Sequence, residues 1–220
     1  MKRIVIIGAG GHGREVADIV RHQARLDSHI EPVGFVDDNP AIHGQRVDGL
    51  PVLGGWSWFD GADRAEVEVV CAVGSPRICR RLVRRAKELG LSFASAISPL
   101  AHISAFAHLG EGVTVFPGVI VNTRAVIDSY SILNVAATVS HDTRVGPYSN
   151  VNPGAHLAGN VTIGEGCYVG MGASVIQGRS IGAWSTVGAG SIVIRDLPAN
   201  VTAVGVPARA IKVEEERRDE

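Results

Sequence analysis

From Ile103 to Val193, every sixth residue of this 220-residue chain is Ile, Leu or Val, without exception over sixteen positions. Those types make up roughly a quarter of the chain, so chance agreement is on the order of one in a billion. A helical period of 3.6 or a strand period of 2 does not generate a strict six. A hexad with one inward aliphatic is the unit of a parallel β-helix. Each hexad makes one flat face, three close a triangular coil, and residues 18 apart stack one strand spacing away, about 4.8 Å. Gly directly follows the aliphatic at Gly110, Gly146, Gly164, Gly170, Gly182 and Gly188. The reading places the corner two residues beyond each aliphatic, and expects about five coils from this length.

The first 97 residues have a different texture. Arg3–Ile7 reads as a buried strand. Gly8-Ala9-Gly10-Gly11-His12-Gly13 follows it, then a helix over Arg14–Gln23 with Val16, Ile19 and Val20 on one face. Glu31–Asp37, Glu66–Val73 and Leu91–Ala96 read as strands, Pro76–Leu89 as an arginine-rich helix, and Asn39–Leu53 as loop. This β-α-β alternation predicts a small parallel, Rossmann-like sheet. The predicted organisation is a βαβ domain over 1–97, a β-helix over 98–213 and a charged tail over 214–220.

Composition narrows the partners. The 21 Lys and Arg nearly balance 22 Asp and Glu, which argues against a nucleic-acid footprint or a polybasic membrane patch. The apolar run near Met1 ends after four residues in glycines, too short to export or span. Cys71, Cys79 and Cys167 are too few and scattered for a disulfide framework, so a cytoplasmic location is expected.

Several residues carry chemistry. His141-Asp142 is the sharpest pair. Imidazole is suited to collect a proton near neutrality, and an adjacent carboxylate can fix its tautomer. Two places after Val139, His141 belongs to a turn and points outward. Gly159 lies 18 residues later, so its bare backbone N–H stacks beside His141, where it could face a developing oxyanion. Asn134 and Asn152 form another 18-residue pair, either a structural ladder or a contact surface. Gly8 to Gly13 fits G-x-G-x-x-G between strand and helix, a place that favours phosphates. Gly11 and His12 lie on it, and Asp37 and Asp38 end the second strand, where a ribose or base partner sits. Val73 and Gly74 end the third strand on the same edge. A zinc site would need three histidines converging, but His141 and His156, 15 apart, occupy different hexad offsets, and His102 and His108 share an offset on adjacent faces of one coil, so no metal site is expected.

With Phe35-Val36-Asp37-Asp38, Ala72-Val73-Gly74, Leu133-Asn134, Ser140-His141-Asp142, Ala158 to Gly164 and Gly205-Val206-Pro207-Ala208-Arg209, the chain resembles the left-handed β-helix sugar acyltransferases of the sialic-acid O-acetyltransferase type. Within them it is most similar to the nucleotide-amino-sugar N-acetyltransferases. The resemblance implies an acetyl-CoA-dependent N-acetyltransferase acting on the 4-amino group of a UDP- or GDP-linked amino-sugar for surface glycans. It implies a homotrimer with active sites between subunits, a general base at His141, an oxyanion donor at Gly159 and a substrate contact at Asn134. The thioester and pantetheine would run past Asn150, Gly159, Gly170, Met171 and Gly188 towards Pro207. Asn150 departs from the bacillosamine-pathway branch, which carries a second histidine there. The alternatives are an O-acetyltransferase of a sialic-acid-like sugar and a non-catalytic β-helix scaffold.

Overall fold

The computed structural model describes residues 1–61 and 66–213. The charged tail expected over 214–220 lies outside the described residues. The chain divides into two compact units, Met1–Pro99 and Leu100–Glu220.

In the first unit, β1 (Lys2–Ile7), β2 (Ile30–Val36), β3 (Arg46–Val47), β4 (Leu50–Gly54), β5 (Val67–Cys71) and β6 (Ser92–Phe93) lie in the order β3-β4-β2-β1-β5-β6. β1 pairs in parallel with both β2 and β5, so the winding reverses at the carboxyl ends of β1 and β5. Ligands of such sheets sit at that crevice. The helices are α1 (Gly11–Leu26) and α2 (Pro76–Glu88). α1 buries Val16, Ala17, Ile19 and Val20, while α2 buries Cys79, Val83 and Ala86 and leaves most of its arginines outside. Arg85, itself exposed, stacks over Trp56 at 4.5 Å. Trp56 and Phe59 close one end of the core formed by Val5, Ile7, Val36, Val67 and Val69.

Two expectations need correction here. The segment Asn39–Leu53 is not all loop, since β3 and β4 form an antiparallel hairpin whose second strand extends the parallel sheet beside β2. The helix also starts earlier than expected, with Gly11 to Gly13 already inside it. A Cβ on Gly13 would lie 2.0 Å from the Gly8 carbonyl oxygen, so only glycine lets the first turn press onto the loop.

The second unit is the expected coil. Three ladders of two-residue strands run its length, each strand pairing in parallel with the one 18 residues on. The first ladder contains Thr114–Val115, Ile132–Leu133, Asn150–Val151, Tyr168–Val169 and Thr186–Val187. The second runs from His102–Ile103 through Thr138–Val139 and His156–Leu157 to Ile192–Val193. The third runs from His108–Leu109 through Arg144–Val145 and Thr162–Ile163 to Ser180–Ile181. The hexad aliphatics from Val115 to Val193 fill the interior, each at most 2 % exposed. Burying each such side chain contributes about 1.5–3 kcal/mol. An exposed ion pair such as Arg144–Asp128, at 2.8 Å, contributes at most about 1 kcal/mol. The inward column therefore holds the coil together. A final strand, Val201–Val204, continues the first ladder and pairs antiparallel with Arg209–Val213.

The corners fall one residue later than expected. Positive φ occurs three places beyond the aliphatic, at every such position from Gly112 to Gly190. Residue type does not announce these corners, because Arg124, Tyr130, Tyr148 and Trp184 occupy four of them. The glycines directly after the aliphatic serve another purpose. A Cβ on Gly146 would lie 2.7 Å from backbone of the next coil, and one on Gly182 2.3 Å. Their missing side chains are the space into which the following coil packs.

Candidate active site

The edge between the second and third ladders carries, in successive coils, Thr123-Arg124, His141-Asp142 and Gly159-Asn160. The His141 ring lies flat over Gly159: a Cβ there would be 2.5 Å from its Cε1 and 2.6 Å from its Nε2. On its other side, His141 Nδ1 is 2.8 Å from Asp142 Oδ2. An ionised carboxylate only accepts, so Nδ1 carries the proton and Nε2 keeps a lone pair. The His141 side chain is 56 % exposed, which leaves that lone pair accessible to a substrate.

Arg124, one coil earlier, grips the same carboxylate. Its Nε lies 2.7 Å from Asp142 Oδ1, and its Nη2 donates to Oδ2 at 3.1 Å. Arg124 and Asp142 both sit at left-handed corners, with φ of 57° and 58°, so their side chains leave the edge in the same direction. The hydrogen bond from Arg124 first, and that with His141 second, hold the Asp142 carboxyl below its ordinary range. Arg124 was not singled out from the sequence. The signal was its 18-residue offset from Asp142.

Other predicted residues lie on a second edge, between the first and second ladders. Asn134 Oδ1 accepts from the Val135 N–H at 2.7 Å. Asn152 is buried and donates to the Val169 carbonyl at 2.8 Å, which is the structural-ladder role. Met171 is 60 % exposed on this edge, and Asn150, on the first ladder, is only 3 % exposed. Gly170 and Gly188, expected along the cofactor path, are closed in on their Cβ side by the next coil. A Cβ on Gly170 would lie 2.6 Å from Ala189 N and Val187 O, and one on Gly188 2.7 Å from Val204 Cγ1. Both are needed by the next strand. The open positions beside Met171 are Gly154, Gly172 and Gly190, where a Cβ would meet nothing within 4 Å. Pro207 is exposed between the last two strands. One chain therefore places His141, Asp142 and Gly159 together and puts Asn134, Met171 and their neighbours on a different edge.

In the first unit, the predicted loop residues gather at the winding reversal. A Cβ on Gly8, whose φ is +105°, would lie 3.2 Å from Ala72 O and 3.3 Å from Val73 Cγ2, so the turns after β1 and β5 touch. Asp37 Oδ2 accepts from the Ala9 N–H at 2.8 Å and Oδ1 from the Asn39 N–H at 2.8 Å. Asp37 thus braces the glycine turn, while Asp38 is exposed. Gly10 caps α1 without a side-chain acceptor for its first N–H groups, the arrangement that suits a phosphate. A Cβ on Gly11 would meet open space. A cavity of about 440 Å³ beside it is lined by Gly11, His12, Arg14, Glu15, Asp18 and Asp48. Burial lowers the His12 pKa, with Glu15 opposing.

Among the described residues, no group of three or more His, Cys, Asp or Glu side chains is placed to hold a metal ion. No helix among them is long and apolar enough to cross a membrane. Cys71, Cys79 and Cys167 are all buried, and burial pushes the Cys167 thiol up to about 11.

A doubly wound sheet followed by hexapeptide coils, with a carboxylate-oriented histidine on a coil edge, defines a hexapeptide-repeat transferase. Residues 3–86 match the PglD N-terminal domain and residues 142–177 the bacterial transferase hexapeptide (six repeats). PerB from Caulobacter crescentus, solved in complex with CoA and GDP-perosamine, is 38% identical, with a TM-score of 0.87 over 95% of this chain and 97% of its own. The acetyltransferase domain of PglB from Neisseria gonorrhoeae, also solved with acetyl coenzyme A, is 32% identical, with a TM-score of 0.87 over 95% of this chain and 99% of its own. UDP-N-acetylbacillosamine N-acetyltransferase of Bacillus subtilis (strain 168) is 37% identical over 127 residues, 52% of this chain and 51% of that protein. The matched stretch spans about half the length of that curated relative. The chain belongs to the left-handed β-helix sugar acyltransferases, in the branch of the nucleotide-amino-sugar N-acetyltransferases.

Proposed function

We propose that the protein transfers an acetyl group from acetyl-CoA to the 4-amino group of a UDP- or GDP-linked amino-sugar, in the cytoplasm, for surface glycan synthesis. The observation that carries this reading is the His141 ring, oriented by Asp142 and laid over Gly159. In the proposed reaction, His141 Nε2 accepts the proton that the amine sheds as it attacks the thioester carbonyl. The Gly159 N–H faces the oxygen that gains charge, and CoA leaves as the thiol, taking up the proton that His141 had collected. The turns holding Gly11, His12, Asp37, Asp38, Val73 and Gly74 hold the nucleotide sugar, its diphosphate at the start of α1. Residues 1–97 are thus the sugar-nucleotide domain and 98–213 the transferase domain. Asn134 contacts the sugar, and acetyl-CoA lies along the edge of Met171, past Asn150 and towards Pro207.

Because the His141 edge and the Met171 edge are distinct within one chain, a neighbouring copy supplies the second edge to each site. A homotrimer meets this requirement with closed symmetry. Light scattering is expected to give three times the chain mass, and an active monomer would overturn the arrangement.

The direct test follows thiol release from acetyl-CoA with UDP- and GDP-linked 4-amino-sugars, with mass spectrometry of the product. An N-acetylated sugar nucleotide is expected. Transfer to free sialic acid alone, or no transfer to any of these acceptors, would overturn the proposal. Gly11→Val should fold, since its side chain meets open space. It is expected to raise KM for the sugar nucleotide and leave that for acetyl-CoA unchanged. The reverse pattern would remove the sugar nucleotide from the glycine turn.

A further inference from the structure

We propose that Arg124 is a positioning residue for the acetyl transfer: it holds the Asp142 carboxylate aimed at His141 Nδ1, and thereby keeps the His141 lone pair directed at the reacting amine. This rests on the reading of His141 as the base. The two-point grip is the first observation. Asp142 Oδ1 takes the Arg124 Nε contact at 2.7 Å, while Oδ2 is shared between Arg124 Nη2 at 3.1 Å and His141 Nδ1 at 2.8 Å. A carboxylate held by one partner can rotate about its last bond. Held at both oxygens by a planar guanidinium, it keeps one orientation.

Backbone is the second observation. Arg124 and Asp142 are non-glycine residues in the left-handed region, stacked one coil apart on the His141 edge. The Asp142 N–H donates to the Thr123 carbonyl at 3.2 Å, tying the two corners together. Among the described residues of the neighbouring coils, no other side chain is placed to grip Asp142. On the following coil, Gly159 and Asn160 are uncharged, and Arg144, two residues along, is turned to Asp128 at 2.8 Å. The charged or titratable groups facing Asp142 on these coils are therefore Arg124 and His141.

Arg124 is 72 % exposed at its side chain, so its replacement should not unfold the coil. Arg124→Gln keeps length and hydrogen bonding but removes the charge. Arg124→Lys keeps the charge but loses the fork. The Gln variant is expected to lower kcat by about tenfold with KM for both substrates unchanged, a modest positional loss. The low-pH end of its kcat profile should move to higher pH, because without the Arg124 hydrogen bond the Asp142 carboxyl protonates earlier. The Lys variant should restore the position of the acid limb and recover only part of kcat. The shift should shrink in high salt.

Carboxyl-detected NMR titration of Asp142 in the unliganded protein reads the same point without catalysis, with the Asp142 transition moving up in Arg124→Gln. An unmoved transition, or a change confined to KM, would overturn the role of Arg124. Absence of acetyl transfer by the unmodified protein would overturn the functional reading and leave the titration to judge Arg124.

Discussion

Replacing His141 by alanine or asparagine is expected to lower kcat by about 10²–10⁴-fold, the usual contribution of a positioned general base. Folding and acetyl-CoA binding should be retained. The ring stands on an outer edge with its side chain 56 % exposed, so its removal opens no cavity in the column of aliphatics. Asn at this position can still accept and donate hydrogen bonds but cannot take up the proton. It should therefore fall close to alanine, which separates proton transfer from binding. Asp142→Asn should lose less, because the amide still orients Nδ1 although it no longer offsets charge on the ring. Steady-state kinetics with circular dichroism and calorimetric CoA titration would check these outcomes. Near-normal turnover in His141→Ala would end the role assigned to the imidazole.

The second large effect is expected from a single methyl group. Gly159→Ala would place its Cβ 2.5 Å from His141 Cε1 and 2.6 Å from Nε2, well inside contact distance. The ring must move by about an ångström, and a displacement of that size near the reacting atoms can lower the rate about 10²-fold. The change should appear in kcat, since the ring can swing outward into solvent and the coil remains intact. Thermal unfolding should shift little. A Gly159→Ala enzyme with unchanged kcat would mean that the ring does not work from its position over the glycine. If the variant proved unfolded, Gly159→Ser, with a slightly larger side chain at the same place, should be unfolded as well.

What could be read from the residues follows from how strictly each position is constrained. An inward side chain of the coil has no alternative environment, so Val115 through Val193 keep one chemical type and the architecture is plain. His141, Asp142 and Gly159 were legible because the 18-residue stack follows from that period. Arg124 obeys the same arithmetic, but an arginine on an outer corner looks like any solvated charge. The left-handed corners were misplaced because Tyr130, Tyr148 and Trp184 stand where glycine or asparagine would be expected. The close packing of Gly170 and Gly188 on the next coil was not legible, because a sequence does not distinguish a glycine facing a ligand from one facing the next strand. That the two Asp37 oxygens receive the Ala9 and Asn39 N–H groups was not legible, because such contacts depend on how the turn folds. The β3–β4 hairpin was hidden by its shortness, Arg46–Val47 being only two residues long.

The pairing of every coil with the one 18 residues on has a consequence for how such a protein can change length. Contacts within the coil reach only to neighbouring turns, so the domain behaves as a one-dimensional stack. Duplicating a whole turn beyond Ser180 would add a rung and leave Arg124, His141, Asp142 and Gly159 in register. Deleting a single residue between Asp142 and Gly159 would rotate everything downstream to the wrong face. The reactive edge occupies three consecutive turns of this stack, so its own register survives a change of length made in whole repeats outside them.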